Sequence, residues 1–307
     1  MPKVSVILTC YNHIRYLPEA LESIRSQTHQ DLEIIAIDDG SKDGTREWLT
    51  ENASDCKLIF NESNLGTYGS LNRAIEEATG DFIAILNDDD VWLPNKLSLQ
   101  LALLGENPEM GLCHTGGKFI DGSGQVVPGS PLGFTFPRTR NGRISLDLAY
   151  QNKIIASAAL FRREVLDTVG KFNPAYFGSG DWEMWMRISL AYTIGFVDEE
   201  LTFYRVHGEN ASHKLDRIWQ DDERLREWIR TLEPRWREGG YLDVEIKRAI
   251  AHNEACLGTI YTLNGKRSMG RKAYGASIRR QPMRLKSVVR WLFTFLPASW
   301  FRRSIRL

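Results

Sequence analysis

Cysteine is scarce in this chain of 307 residues: Cys10, Cys56, Cys113 and Cys256 lie far apart, with no CxxC pair among them. That spacing argues against a zinc-binding cysteine cluster or a dithiol redox motif, and it suits a reducing compartment. The N-terminus lacks the pattern of a secretory leader, because no basic stretch precedes a long apolar one. The expectation is a cytoplasmic protein. Internal repeats and low-complexity tracts are absent as well. Acidic residues stop at Glu254. From 255 to 307 there are twelve Lys and Arg and no Asp or Glu, which leaves 27 basic against 39 acidic groups in the first 254 residues. The formal net charge of zero is therefore an acidic body with a basic tail, and such tails meet anionic surfaces.

What is present reads as an ordinary buried core. The chain is 42% hydrophobic and 25% charged, and its length fits one large domain plus an appendage or two modest domains. The first ninety residues alternate strand and helix signals. Strands are expected at 3–9, 32–38, 57–60 and 82–86, with helices at 17–26, 45–51 and 67–78 between them. The 32–38 run, LEIIAID, is almost continuously apolar, as a strand covered on both faces should be. This order predicts a mostly parallel sheet with helices on both faces. A helix at 94–104, a long loop at 121–143 lying over the site, strands at 157–161 and 202–206 and a helix at 182–191 are expected next. From 215 onward the pattern is helical. Leu215, Ile218, Trp219, Leu225, Trp228, Ile229 and Leu232 form one apolar stripe, and Leu242, Ile246, Ala249, Ile250, Leu257 and Ile260 another.

Three polar clusters, 9–12, 38–41 and 87–90, fall at the carboxyl ends of expected strands, where open α/β sheets collect their ligands. Asp88, Asp89 and Asp90 are adjacent carboxylates that repel one another, so a site holding them calls for a cation. Hard oxygen ligands suit Mg²⁺ or Mn²⁺ carrying substrate phosphates; the plain alternative is a solvated acidic turn. Asp38 and Asp39 exceed what a turn requires, and one of them offers an acceptor for a base imide or a ribose hydroxyl. Thr9 and Tyr11 add a hydroxyl and an aromatic face for stacking a base.

Together these strings resemble the GT-A glycosyltransferases of family 2. The resemblance is carried by VSVILTCYN (4–12), IDDGSKDGT (37–45), NLGTYGSLNRAI (64–75), GDFIAILNDDDVWLP (80–94), GSGDWEMWMRIS (178–189) and FYRVHGENAS (203–212), over about two-thirds of the chain. It implies a Rossmann-like GT-A domain over 1–213 with a helical extension over 214–307. It also implies inverting transfer from a nucleotide-diphosphate sugar, most commonly a UDP-sugar, in cell-surface glycan synthesis. The acceptor would be a glycan or a lipid-linked glycan. The donor would be held by Thr9, Tyr11, Asp39, Asn72 and Asp88, and Mn²⁺ or Mg²⁺ by Asp89, Asp90 and His207. Asp181 would be the general base. Two departures stand out. The family's LDxDD reads Leu86-Asn87-Asp88-Asp89-Asp90, and its Glu-Asp reads Gly180-Asp181, which leaves Glu183 as a second candidate base. The other readings are a nucleotide-sugar binder without turnover and a nucleotidyltransferase. The latter would be expected to carry a Gly-rich phosphate loop near the first strand, and 9–16 contains no glycine.

The tail segment RLKSVVRWLFTFL (284–296) sets Leu285, Val288, Val289, Leu292, Phe293 and Leu296 on one helical face, with Arg284, Lys286 and Arg290 at its flanks. It is far shorter than the roughly 20 residues that span a bilayer. Either it lies in the interface of an anionic membrane, making the protein peripheral there, or it packs on protein. No recognition motif supports a nucleic-acid partner.

Overall fold

The computed structural model describes residues 2–129, 131–208, 210, 214–296 and 301. The chain divides into two compact units, Met1–Ile144 with Lys153–Lys214 and Ser145–Asn152 with Leu215–Leu307.

The first unit holds β1 (Val4–Cys10), α1 (Leu17–Arg25), β2 (Leu32–Asp38), α2 (Thr45–Asn52), β3 (Lys57–Phe60), α3 (Thr67–Glu76) and β4 (Phe82–Asn87). It continues with β5 (Val91–Trp92), α4 (Lys96–Glu106) and β6 (Met110–Ile120), and, after residues 145–152, with β7 (Leu160–Arg162), α6 (Val165–Val169), α7 (Gly180–Ala191) and β8 (Thr193–Arg205). One eight-stranded sheet runs β3-β2-β1-β4-β7-β6-β8-β5. The β3-β2-β1-β4 half is parallel, and β7 and β5 pair antiparallel to their neighbours. Six of the seven β1 residues are buried between the helices on its two faces, which is why this strand reads as apolar without alternation. Its register fixes the site: Thr9 lies beside Ile37 and Asn87, and Cys10 beside Asp38.

Strand β6 was not anticipated in the sequence. MGLCHTGGKFI shows no period of two because nearly all of it is buried, and its glycines answer close approaches. A Cβ at Gly117 would sit 1.9 Å from the Thr202 carbonyl oxygen, and one at Gly111 would sit 2.7 Å from the Tyr192 ring. The strand expected at 202–206 is the end of the much longer β8, while 157–161 begins as a 3₁₀ turn, Ala156–Ala158, before β7. Pro94 precedes α4 instead of lying in its first turn.

The second unit holds α5 (Ser145–Tyr150), α8 (Leu215–Arg230), α9 (Glu233–Glu238), α10 (Asp243–Leu263), α11 (Arg267–Arg280) and α12 (Leu285–Phe293). It therefore takes 145–152 from inside the span expected to be the catalytic domain. The anchors are explicit. Trp236 Nε1 donates to Ser145 Oγ at 3.0 Å, Ser145 Oγ donates to the Tyr241 hydroxyl at 2.9 Å, and Arg226 reaches the Tyr150 carbonyl oxygen at 3.3 Å. Leu225, Ile229 and Leu232 of the first stripe are buried; its Trp219, and Leu242 of the second stripe, are exposed.

Candidate active site

The carboxyl ends of β1, β2 and β4 deliver the polar clusters to one edge of the sheet, and β8 brings a fourth segment. Thr9 Oγ1 donates to Asn87 Oδ1 at 3.0 Å, joining two neighbouring strand ends. Beyond β1 the chain turns through Asn12, whose positive φ of 55° is accommodated because its side chain accepts from Lys42 N at 2.7 Å. This turn points Tyr11 outward, with its ring exposed, and sends His13 inward.

Asp39 is buried and fastened to the entry of α3. Its Oδ1 accepts from Asn61 Nδ2 at 2.8 Å and Leu65 N at 2.7 Å, and its Oδ2 from Gly66 N at 3.0 Å. A carboxylate oxygen accepts two bonds, so Oδ2 keeps capacity for one further donor. Asp38 is fully buried, with Ser41 N on Oδ1 and the Arg46 guanidinium 3.8 Å from Oδ2.

The acidic triplet separates into three environments. Asp88 Oδ2 accepts from Tyr11 N at 2.8 Å, and Oδ1 meets His13 Nδ1 at 2.9 Å. Burial raises the Asp88 pKa above the ordinary carboxylate value, against the pull of His13. Asp89 Oδ2 meets His207 Nε2 at 3.0 Å and accepts from Asn210 Nδ2 at 3.2 Å. Asp90 turns into the core. It accepts from Ser157 Oγ and from Arg205 N at 2.9 Å, and burial, with Asp89 next to it, pushes its pKa well up. Of the carboxylates expected at the metal, Asp90 thus has Oδ1 on the backbone of β8 and Oδ2 on Ser157.

The group that comes together instead is His13, Asp89 and His207, whose ligating atoms all lie within 4.8 Å of one another. Asp88 holds the His13 ring through Nδ1, as carboxylates brace metal-ligating imidazoles. The two imidazole rings meet edge to face at 4.9 Å between centroids. Sequence reasoning missed His13. Its signal was its place one residue after Asn12, at the end of the first strand.

Arg205 was missed as well. It is nearly fully buried, donates to the carbonyl oxygens of Asp89 at 2.8 Å and Asp121 at 3.0 Å, pairs with Glu19 at 2.6 Å, and lies 4.7 Å over the Tyr16 ring. It locks the acidic loop, the start of the 121–143 loop and α1 to the end of β8.

Asp181 stands in the first turn of α7. Its Oδ1 accepts from Trp182 N at 2.7 Å and lies 3.5 Å from the Tyr68 hydroxyl. Tyr68 belongs to α3, whose entry holds Asp39, so α3 connects both carboxylates. Glu183, the second candidate base, is buried in a two-pronged pair with Arg187, 2.8 Å on each oxygen. The Gly180 departure has a steric cause: a Cβ there would come within 2.6 Å of the Tyr68 ring. Asn72, expected at the donor, pairs with the backbone of Phe172. Its amide donates to the Phe172 carbonyl oxygen at 2.7 Å and accepts from Phe172 N at 2.9 Å, which commits it to holding the segment before α7. Burial pushes the Cys10 thiol well up, with Asp88 and Asp38 adding to the effect, so it is no nucleophile.

Several known proteins resemble this chain. The chain is 33% identical over 228 residues to an uncharacterized glycosyltransferase of Nostoc sp., covering 68% of this chain and 66% of that protein. It is 30% identical over 224 residues to one of Methanocaldococcus jannaschii, covering 71% and 74%. A Rickettsia bellii relative is 31% identical over 68% of this chain, which spans 30% of that longer protein. Among solved structures, S. aureus TarS 1–349 in complex with UDP-GlcNAc superposes with a TM-score of 0.68 at 18% identity, covering 98% of this chain and 90% of that one. The mannosyltransferase PcManGT from Pyrobaculum calidifontis, in complex with GDP-Man and Mn²⁺, gives 0.59 at 19%, covering 99% and 86%. These likenesses establish the GT-A fold. Residues 5–170 match the profile described as Glycosyl transferase family 2, and the chain belongs to that family.

Proposed function

We propose that this protein transfers a sugar from a nucleotide-diphosphate donor, a UDP-sugar in the first instance, to an acceptor hydroxyl with inversion at the anomeric carbon. The observation that carries this reading is the convergence of His13, Asp89 and His207 at the same sheet edge as Asp39 and Asp88. The donor set fits a divalent cation, and two imidazoles with one carboxylate suit Mn²⁺ better than Mg²⁺, which prefers oxygen ligands throughout. A cation bound there would neutralise charge on the leaving diphosphate.

The chain's own groups do the rest. Tyr11 offers its exposed ring to the base, Asp39 Oδ2 accepts an imide N–H, and Asp88 accepts from ribose hydroxyls. Thr9 supports these groups through Asn87. Asp181, oriented by Trp182 N and Tyr68, takes the proton of the acceptor hydroxyl as that oxygen attacks. Carboxylate assistance of this kind requires an approach of about 2.6–3.2 Å. A single displacement with the base opposite the leaving group inverts the centre. Glu183 is occupied by Arg187, which favours Asp181 as the base. The acceptor we assign is a glycan hydroxyl, free or lipid-linked, in surface-glycan synthesis. The structures of TarS with UDP-GlcNAc and of PcManGT with GDP-Man and Mn²⁺ support donor and metal by analogy of fold.

A calorimetric panel of UDP, GDP and dTDP, each with Mn²⁺, Mg²⁺ or EDTA, tests donor and metal, and hydrolysis of the matching sugars tests turnover. UDP binding that requires Mn²⁺, with slow donor hydrolysis, is the expected result. Tight binding without any turnover would instead identify a binder, and equal binding in EDTA would remove the cation from the reading.

A further inference from the structure

Helix α12 leaves much of its apolar surface unburied. It is amphipathic, but the residues it and its C-terminal turn bury most completely are Ser287 and Thr294, each 1% exposed. Ser287 Oγ lies 3.1 Å from Ser277 Oγ of α11. Trp291 and Phe293 pack partly against Ala255, Tyr274 and Phe301. The other large apolar side chains face outward: Leu285 is 69% exposed, Leu292 54% and Phe295 58%, with Met283, Val289 and Leu296 exposed alongside. Positions 285, 289, 292 and 296 repeat at helical spacing and form one stripe. A contiguous apolar stripe left in water marks an interaction surface.

The charge around it selects the occupant. Lys286 is exposed on α12, Lys272 and Arg279 are exposed on α11, and the Arg271 guanidinium lies 4.9 Å from the Phe295 ring centre. Arg280 pairs with Glu233 of α9 at 2.9 Å, the acidic group that reaches this side from a neighbouring element. No acidic residue occurs after Glu254. Among the described residues no helix is long and apolar enough to cross a membrane. We propose that the exposed face of α12 seats in the headgroup region of an anionic lipid bilayer, with Leu285, Leu292 and Phe295 immersed and the basic groups on lipid phosphates. This does not rest on the donor reading.

Co-sedimentation of the full chain with phosphatidylglycerol–phosphatidylcholine vesicles, against pure phosphatidylcholine, is the test. Binding to the anionic vesicles that weakens in high salt is expected. The pair Leu285→Glu with Leu292→Glu should lower partitioning about tenfold or more, and Arg279→Glu with Lys286→Glu should do the same through charge. Both pairs alter exposed side chains, so thermal unfolding should stay unchanged; should the first pair unfold, the second decides alone. Equal binding to neutral vesicles, or undiminished binding of the charge-reversed protein, overturns the proposal. So does a vesicle-free dimer in sedimentation equilibrium that Leu285→Glu with Leu292→Glu dissociates, since the face would then be an interface between copies.

Discussion

Asp89 and Asp90 are neighbours in sequence with opposite surroundings, and this gives a sharp test at the level of single residues. Asp89→Asn leaves the shape but weakens a ligand to the cation, so Mn²⁺-dependent nucleotide binding should fall by at least tenfold. Asp90→Asn still accepts from Arg205 N and donates to Ser157 Oγ, so Mn²⁺ affinity should stay within about threefold; calorimetry separates the two. Asp181→Asn should keep donor affinity while turnover drops by about 10²–10⁴-fold, or roughly 3–5 kcal/mol of barrier. A structural role in the first turn would be filled nearly as well by Asn and would leave activity almost unchanged. Near-native turnover in that variant therefore discards Asp181 as the base. His13 was hidden from sequence reading because one histidine near a strand end carries no pattern; only the return of β8 with His207 gives it a partner.

At the scale of elements, α3 and α7 meet through a ring and a missing side chain. Gly180→Ala should destabilise by about 1–3 kcal/mol, because the new Cβ displaces the Tyr68 ring. Tyr68→Ala in the same chain should relieve that clash, which a double-mutant cycle in urea would register as coupling. Helix α4 carries a second device. Lys96 is fully buried, with Nζ 4.0 Å from the Trp92 ring centre and 2.9 Å from Gln100 Oε1, and burial brings its pKa down to about 7. A base whose folded pKa is depressed costs nothing above its unfolded value near 10.5, and the cost grows as pH falls towards the folded value. The stability of the natural protein relative to Lys96→Met should therefore rise between pH 7 and pH 10, by a few kcal/mol at most, and stay level below that window. Chemical denaturation across that range measures it, and a flat difference would show that the lysine stays charged in the core.

For the whole molecule, the basic tail after Glu254 falls in the second unit, and 145–152 leaves the first unit to join the second. Ligand linkage gives the prediction at this scale. Mn²⁺ and UDP together, near a hundredfold over their dissociation constants, add about 2.7 kcal/mol for each saturated site. The unfolding temperature should rise by several degrees, EDTA should remove that rise, and Asp89→Asn should lose most of it. An equal shift by UDP in EDTA would place the nucleotide independently of the cation.

Much of the architecture was legible because its causes are local. Apolar runs such as LEIIAID can only be doubly covered strands, polar clusters follow them, and the order of elements implies a mostly parallel half-sheet with its ligand edge. Six ordered strings also carried the family. What the tertiary structure alone decided is which side chains face that edge. Asp88, Asp89 and Asp90 look equivalent in sequence, yet each turns to a different neighbour, because the end of β8 supplies His207 to one and a backbone N–H to another. Asn72 reads as a site residue, and only the tertiary structure shows that its amide pairs with Phe172 in the chain before α7. Strand β6 was invisible because burial on both faces and close-approach glycines erase its alternation. The outward face of α12 follows the same logic: periodicity finds an amphipathic helix, but only packing shows that Leu285, Val289 and Leu292 stay exposed while Ser287 is buried.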